Sequence, residues 1–65
     1  MKLLINGDPR EVHARDVAEL VVELGLPPAA ALVEHNGLAL RRDEWPGSAL
    51  QENDRVEIIR IVAGG

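Results

Sequence analysis

The sequence predicts an α+β domain in which one helix packs on a mixed β-sheet. Three observations support this: one segment with helical periodicity, short apolar runs separated by turn residues, and a last segment rich in β-branched residues. A chain of 65 residues forms one small domain, residues 1–65. A domain of this size buries only about 60% of its unfolded surface, so its local structure must be well specified.

The N-terminal segment predicts a β-hairpin. Residues 2–5 form an apolar strand, residues 6–9 supply turn-forming side chains, and an extended pattern resumes over residues 10–13. The apolar run Leu3-Leu4-Ile5 is too short for a signal-peptide core or a membrane span. We therefore expect a cytoplasmic protein that does not enter a membrane.

A single helix is predicted over residues 16–24. Asp16 followed by Glu19 resembles a capping box. Gly25 suits the left-handed position after the helix, and the two prolines that follow prevent its continuation. Four apolar residues recur at helical spacing and are expected in the core: Val17, Leu20, Val21 and Leu24.

The second half of the chain predicts three strands. Residues 31–35 and 38–40 flank Asn36-Gly37, a dipeptide that suits a tight hairpin turn. Residues 41–54 are polar and should form an irregular connection that Trp45 and Leu50 attach to the core. Residues 55–62 form the longest strand candidate, which we place beside the first strand.

Composition argues against several classes of function. The net charge is −4 and Trp45 is the only aromatic residue, so the basic patch and the stacking surface of a nucleic-acid-binding protein are both missing. The absence of cysteine excludes a thiolate metal site and a cysteine nucleophile. We expect neither nucleic acid nor a bound cofactor or metal.

The side chains that could support catalysis are not arranged in a known catalytic motif. His13 and His35 lack metal-ligand spacing and are interpreted as a strand-end residue and a residue before a turn. Ser48 lies in a turn-like context without a nucleophile elbow. Asp43 and Glu44 stand next to Arg41 and Arg42, which is typical of a solvated charge cluster.

The chain ends with Ala63-Gly64-Gly65 directly after a strand. Terminal glycines add nothing to a core, but without Cβ atoms they fit a channel too narrow for side chains. A flexible tail over residues 63–65 could then present the carboxylate of Gly65 to another protein's active site. The alternative is an ordinary frayed terminus.

The last strand carries apolar residues on both faces. If Val56 and Ile58 face the helix, Ile59 and Ile61 face outward. An exposed apolar pair beside a flexible tail indicates a partner-docking patch. The alternative is a sheet face partly covered by the preceding connection. Two charged residues are expected to border the patch: Glu57 and Arg60.

Taken in order, these segments resemble the ThiS family, the small ubiquitin-like sulfur carriers of thiamine biosynthesis. The resemblance spans residues 1–65 and departs from the common pattern at Ala63 and Asn53, where relatives often have glycine. The matching pieces are M-K-L-L-I-N-G, D-V-A-E-L-V-V-E-L-G-L, V-E-H-N-G, R-R-D-E-W, N-D-R-V-E-I-I-R and V-A-G-G.

The resemblance implies a β-grasp fold and a carrier that is not itself an enzyme. The Gly65 carboxylate would be adenylated by an E1-like, ThiF-like partner that consumes ATP, with residues 63–65 entering the partner's channel. A sulfur donor such as a cysteine desulfurase would then supply sulfur for a thiocarboxylate. A ThiG-like thiazole synthase would receive that sulfur.

Three alternative functions are compatible with the sequence. The sibling carrier of molybdopterin biosynthesis shares the fold and the terminal glycines, although it often has an F-A-x-x-R-E-like opening that is absent here, and R-D-E-W favours the thiamine branch. The other two alternatives are a β-grasp interaction module that is never activated and a protein-conjugating modifier.

Overall fold

The computed structural model describes residues 1–62. In this part of the chain, the predicted order of strand, strand, helix, strand, strand, strand is confirmed. Two 3₁₀ helices lie in the connections, Pro28–Ala30 and Arg42–Gly47. The regular elements are β1 (Lys2–Ile5), β2 (Asp8–Glu11), α1 (Val17–Glu23), β3 (Ala31–His35), β4 (Leu38–Leu40) and β5 (Arg55–Arg60).

The five described strands form one mixed sheet in the order β2-β1-β5-β3-β4. β1 and β5 pair in parallel, and every other neighbouring pair is antiparallel. The prediction that the last strand lies beside the first is therefore confirmed. Because α1 covers one face of this sheet, the architecture is the predicted α+β arrangement, and it agrees with the β-grasp fold that the resemblance implies.

Both hairpins turn at an Asn-Gly pair whose two residues have positive φ. The angles are 50° and 85° at Asn6 and Gly7, and 50° and 86° at Asn36 and Gly37. A two-residue turn of this kind lets pairing resume at once. β2 therefore begins at Asp8 rather than at residue 10 as predicted, and Pro9 lies inside it. The proline is tolerated because β2 is an edge strand.

The asparagines of the two turns also bind β5 through their side chains. Asn6 Nδ2 donates to the Ile58 carbonyl at 3.0 Å, and Asn6 Oδ1 accepts from the Ile58 N–H at 2.8 Å. Asn36 Oδ1 accepts from the Arg55 N–H at 2.8 Å. Each amide thus satisfies backbone groups of β5 that no neighbouring strand reaches.

The N-terminus of α1 is capped as the Asp16/Glu19 spacing predicted. Asp16 Oδ1 accepts from the Glu19 N–H at 2.8 Å. The return bond of the capping box is displaced by one residue, because Glu19 Oε1 accepts from the N–H of Arg15 at 2.8 Å. Both carboxylates lie near the positive end of the helix, which stabilises its first turn.

The C-terminus of α1 ends in a Schellman motif. Gly25 has a φ of +72°, and its N–H donates to the Val22 carbonyl. The N–H of Leu26 donates to the Val21 carbonyl. This pattern satisfies the last carbonyls of the helix and turns the chain away. The predicted role of Gly25 is confirmed.

The core lies between α1 and one face of the sheet. Trp45 and Leu50 are buried, so the prediction that they attach the long connection to the core is confirmed. Val17, Leu20 and Val21 are also buried, whereas Leu24 is only half-buried at the end of the helix. Within residues 1–62, no helix is long and apolar enough to cross a membrane.

The last strand is shorter than predicted. β5 ends at Arg60, which pairs with Ala31, the first residue of β3. Beyond that point the neighbouring segment is the 3₁₀ helix Pro28–Ala30, and the Ile61 N–H donates to the Ala30 carbonyl at 2.6 Å. Residues 61 and 62 have β-strand composition but no partner strand.

Candidate functional site

The predicted tail site comprises Ala63, Gly64 and Gly65, and these residues lie outside the part of the chain that the structure describes. The description ends at Val62, two residues beyond β5. What the structure does define is the surroundings of the point where the tail leaves the domain. These are the two sheet faces at the end of β5.

The face of the sheet away from α1 carries the predicted apolar pair. Ile59 is 61% exposed and Ile61 is 47% exposed, so the prediction that both side chains face outward is confirmed. Ile59 is paired across the strands with Leu32, which is also exposed. We call the surface formed by Leu32, Ile59 and Ile61 the outer patch.

Two acidic side chains lie directly next to the outer patch. Glu34 of β3 and Glu57 of β5 are cross-strand partners, and both line a shallow groove that also includes Leu32, Ala39 and Ile59. Like charges placed directly opposite each other destabilise a sheet. Neither carboxylate forms an ion pair with any residue in the range 1–62. The outer patch therefore has an acidic border, which agrees with the expected position of Glu57.

Arg60 does not border the outer patch, contrary to expectation. Strand alternation places it on the α1 side of the sheet, where its partner Ala31 is buried. Its side chain lines a different groove together with Ile58 and Leu26. The predicted interface residues are thus divided between two faces, with Ile59 and Ile61 on one and Arg60 on the other.

His35 is not the plain surface residue that the sequence predicted. Its position before the Asn36-Gly37 turn is as expected, but Nε2 lies 2.7 Å from Asp54 Oδ2 and both side chains are mostly buried. This contact joins the β3–β4 turn to the loop that precedes β5. It has a structural role, and nothing around it resembles a nucleophile or a metal site.

Asp54 is held in its charged form by three donors. Burial is the largest influence and opposes ionisation. Hydrogen bonds from His35, the Gln51 N–H and Asn36 together outweigh it, so the pKa of Asp54 lies below its ordinary value of 3.8.

The charged segment after β4 is solvated, as predicted. Arg41 Nε donates to Asp43 Oδ1 at 3.1 Å. The side chains of Arg41, Asp43 and Glu44 are all substantially exposed. The Asp43 hydrogen bond and the charges of Asp43 and Glu44 raise the pKa of Arg41. Ser48 donates its hydroxyl to the Glu44 carbonyl. In residues 1–62 there is no cluster of three side chains that could hold a metal ion.

Two features of the site were missed from the sequence, the Glu34–Glu57 pair and the groove that Arg10 and Arg60 both line. Both depend on strand register, which brings together residues far apart in the chain. The position of Arg10 could have been found from the hairpin, since a two-residue Asn-Gly turn pairs Arg10 with Leu3.

Similarity to known proteins extends over the whole length of the chain. A family model described as the ThiS family matches residues 3–65. The chain is 30% identical to the sulfur carrier protein ThiS of Thermus thermophilus over 61 residues, which covers 94% of this chain and 95% of that protein.

The chain also matches part of a larger protein. It is 33% identical, over all of its length, to a thiazole synthase of Magnetococcus marinus, but it spans only 20% of that relative's length. A second thiazole synthase, from Paramagnetospirillum magneticum, is covered to the same extent. A segment similar to this chain is therefore contained within those proteins.

A solved structure has the same fold. The crystal structure of the thiamine biosynthesis protein ThiS from Geobacter metallireducens superposes with a TM-score of 0.82 at 32% identity, and each chain is covered completely. The five-stranded mixed sheet with one main helix is thus shared with this ThiS protein.

Proposed function

Because the chain belongs to the ThiS family, we propose that it is a sulfur carrier of thiamine biosynthesis and that Gly65 is its site of activation. The observation that carries the proposal is the family match, which extends over residues 3–65 and so includes Gly64 and Gly65. The chain's own chemistry fits this role, since it has no cysteine on which sulfur could be carried.

In the proposed reaction a partner enzyme performs all the catalysis. A Gly65 carboxylate oxygen attacks the α-phosphate of ATP, giving an acyl adenylate and releasing pyrophosphate. The terminal sulfur of a persulfide on a donor such as a cysteine desulfurase then attacks the carbonyl carbon, AMP leaves with its electron pair, and an acyl disulfide forms. A thiol reductant then cleaves the S–S bond of this acyl disulfide and leaves one sulfur on Gly65. Adenylation makes this displacement feasible by converting a poor leaving oxygen into a good one. The product is a thiocarboxylate.

The proposed partners are a ThiF-like adenylating enzyme and a ThiG-like thiazole synthase. The thiazole synthase is supported by the relatives in which a segment similar to this chain is part of the same polypeptide. ATP is a substrate of the adenylating enzyme and not a group bound by this chain. The outer patch and the tail, residues 63–65, are proposed to contact the adenylating enzyme together.

The tail can be tested with Gly64→Val. We expect this variant to unfold at the same temperature as the original protein, because the last residue of the described core is Ile58, six residues earlier in the chain. Thiocarboxylate formation should fall steeply, because a β-branched side chain restricts φ and widens the tail. Deletion of Gly65 should also abolish it, since the carboxylate is withdrawn by about 3.5 Å. The reaction contains the adenylating enzyme, ATP and a sulfur donor, and intact mass reports replacement of one oxygen by sulfur.

Gly47→Val is the matched control. A side chain at Gly47 meets open space, so the same substitution there should leave both stability and sulfur loading unchanged. Loading of the Gly64→Val or Gly65-deleted protein at the original rate would contradict the carrier proposal. Transfer from the loaded protein to thiazole synthase, and not to a molybdopterin synthase, would separate the thiamine role from its sibling.

A further inference from the structure

A second groove lies on the α1 side of the sheet, next to the end of β5. Its volume is about 230 Å³, and its apolar floor comes from β1, β5 and the end of α1. Two arginines also line it, Arg10 from β2 and Arg60 from β5. We call this cavity the arginine groove; its lining residues are Ile5, Asn6, Arg10, Leu24, Leu26, Ile58 and Arg60.

The two guanidinium groups have no partner among the residues that the structure describes. Neither Arg10 nor Arg60 forms an ion pair or a side-chain hydrogen bond with another residue in the described range 1–62. Other basic side chains in this range also have no ion pair, so the distinguishing feature of Arg10 and Arg60 is that both line one groove. Two like charges that line one cavity repel each other, and an anion placed between them would convert that repulsion into attraction.

The arginine groove is also close to the tail in sequence. Arg60 precedes Gly65 by five residues, and five extended residues span at most about 18 Å. An enzyme that receives the Gly65 carboxylate must therefore approach the domain within reach of the groove. A carboxylate on that enzyme's surface would meet the two guanidiniums in the planar, bidentate geometry that arginine favours.

We infer that the arginine groove binds an acidic segment of the adenylating enzyme, with an Asp or Glu side chain between Arg10 and Arg60. The inference rests on the proposed function, because it takes that enzyme as the partner. The apolar floor suits an aliphatic or aromatic neighbour of the acidic residue. Glu34 and Glu57 next to the outer patch would repel an acidic segment on the opposite sheet face, which favours its docking at the groove.

The test compares the double variant Arg10→Gln/Arg60→Gln with Arg15→Gln/Arg42→Gln, which removes the same charge at exposed positions outside the groove. The affinity of the intact protein for the adenylating enzyme is measured by titration calorimetry at low and high salt. The groove variant should bind at least about tenfold more weakly at low salt, and the difference should shrink at high salt. In the pyrophosphate-release assay KM should rise more than kcat falls.

Each outcome bears on one of the two proposals. If the unsubstituted protein is not adenylated at all, the proposed function fails. If it is adenylated and the groove variant binds as tightly as the control variant, the arginine groove is not a binding site. A loss of affinity that is equal at low and high salt would also overturn the inference, because it would indicate lost packing instead of lost charge pairing. Circular dichroism establishes that both variants are folded.

Discussion

Single polar residues join the loops of this domain to its central strand. Asp54 accepts hydrogen bonds from His35, Asn36 and the backbone of Gln51, so it connects the β3–β4 turn to the segment that leads into β5. With so little apolar surface to bury, a small domain depends on such contacts to select one arrangement of its loops. The effect of losing Asp54 should therefore be measurable.

We predict that Asp54→Asn reduces the loss of stability in acid. The pKa of Asp54 is lowered in the folded protein, so its contribution is fully present above the ordinary value of 3.8 and is lost as the pH falls through the lower, folded value. The variant should be less stable than the original protein at neutral pH. It should also lose less stability between about pH 5 and pH 2. Urea unfolding across this range measures both effects.

Asp8→Asn, at an exposed aspartate, controls for the loss of one negative charge. An acid-side slope for Asp54→Asn equal to that of the original protein would mean that the cluster around Asp54 does not stabilise the fold.

At the scale of elements, turn-forming residues and hydrophobic periodicity were sufficient to predict the ends of each described strand and of the helix to within two residues. The remaining errors have physical causes that lie outside the local sequence. β2 begins early because its turn needs only two residues, and β5 stops early because its neighbour changes from strand to 3₁₀ helix. The local sequence pattern predicts the type of an element, whereas the residue at which a strand ends depends on the strand that pairs with it.

The turn asparagines allow a prediction at this scale. Asn6→Gly keeps a residue that tolerates positive φ but removes the two hydrogen bonds to Ile58. We expect the free energy of unfolding to fall by about 1 to 2 kcal/mol. Denaturant unfolding provides the measurement.

Asn53→Gly is the matched control, since Asn53 has a φ of 69° and its side chain makes no hydrogen bond within residues 1–62. This substitution should leave stability unchanged or raise it slightly, because glycine adopts positive φ at lower cost. Equal losses for the two variants would show that the Asn6 side chain contributes nothing beyond its backbone conformation.

At the scale of the whole molecule, the sheet has one face under α1 and one face open. The sequence was sufficient to predict that Ile59 and Ile61 point away from the helix, because strand alternation is local. It was not sufficient to predict that Arg60 lies with Arg10, or that Glu34 meets Glu57, because these neighbours come from different strands. Which charged side chains share a sheet face therefore depends on strand register.

Replacing Ile59 and Ile61 together by serine tests the outer patch. We expect affinity for the adenylating enzyme to fall by at least about tenfold, because exposed apolar side chains contribute mainly when a partner covers them. Thermal stability should change little, since both residues are already exposed. Affinity is measured by calorimetry and stability by thermal unfolding.

Val22→Ser, at a residue of α1 that is 71% exposed, is the control for loss of an exposed apolar side chain elsewhere. If the double variant binds as well as this control, Ile59 and Ile61 belong to ordinary sheet packing.

The parallel pairing of β1 with β5 has a consequence for how the protein is made. β5 is the last described strand in sequence, but it is the central strand of the sheet. The ribosome must therefore release Arg55–Arg60 before the β1–β2 hairpin and the β3–β4 hairpin can join in one sheet. Until then the nascent chain holds two separate hairpins, which are marginally stable in isolation. Folding therefore waits for translation to reach the segment that leads into the tail. Adoption of the fold thus requires that this strand has been synthesised.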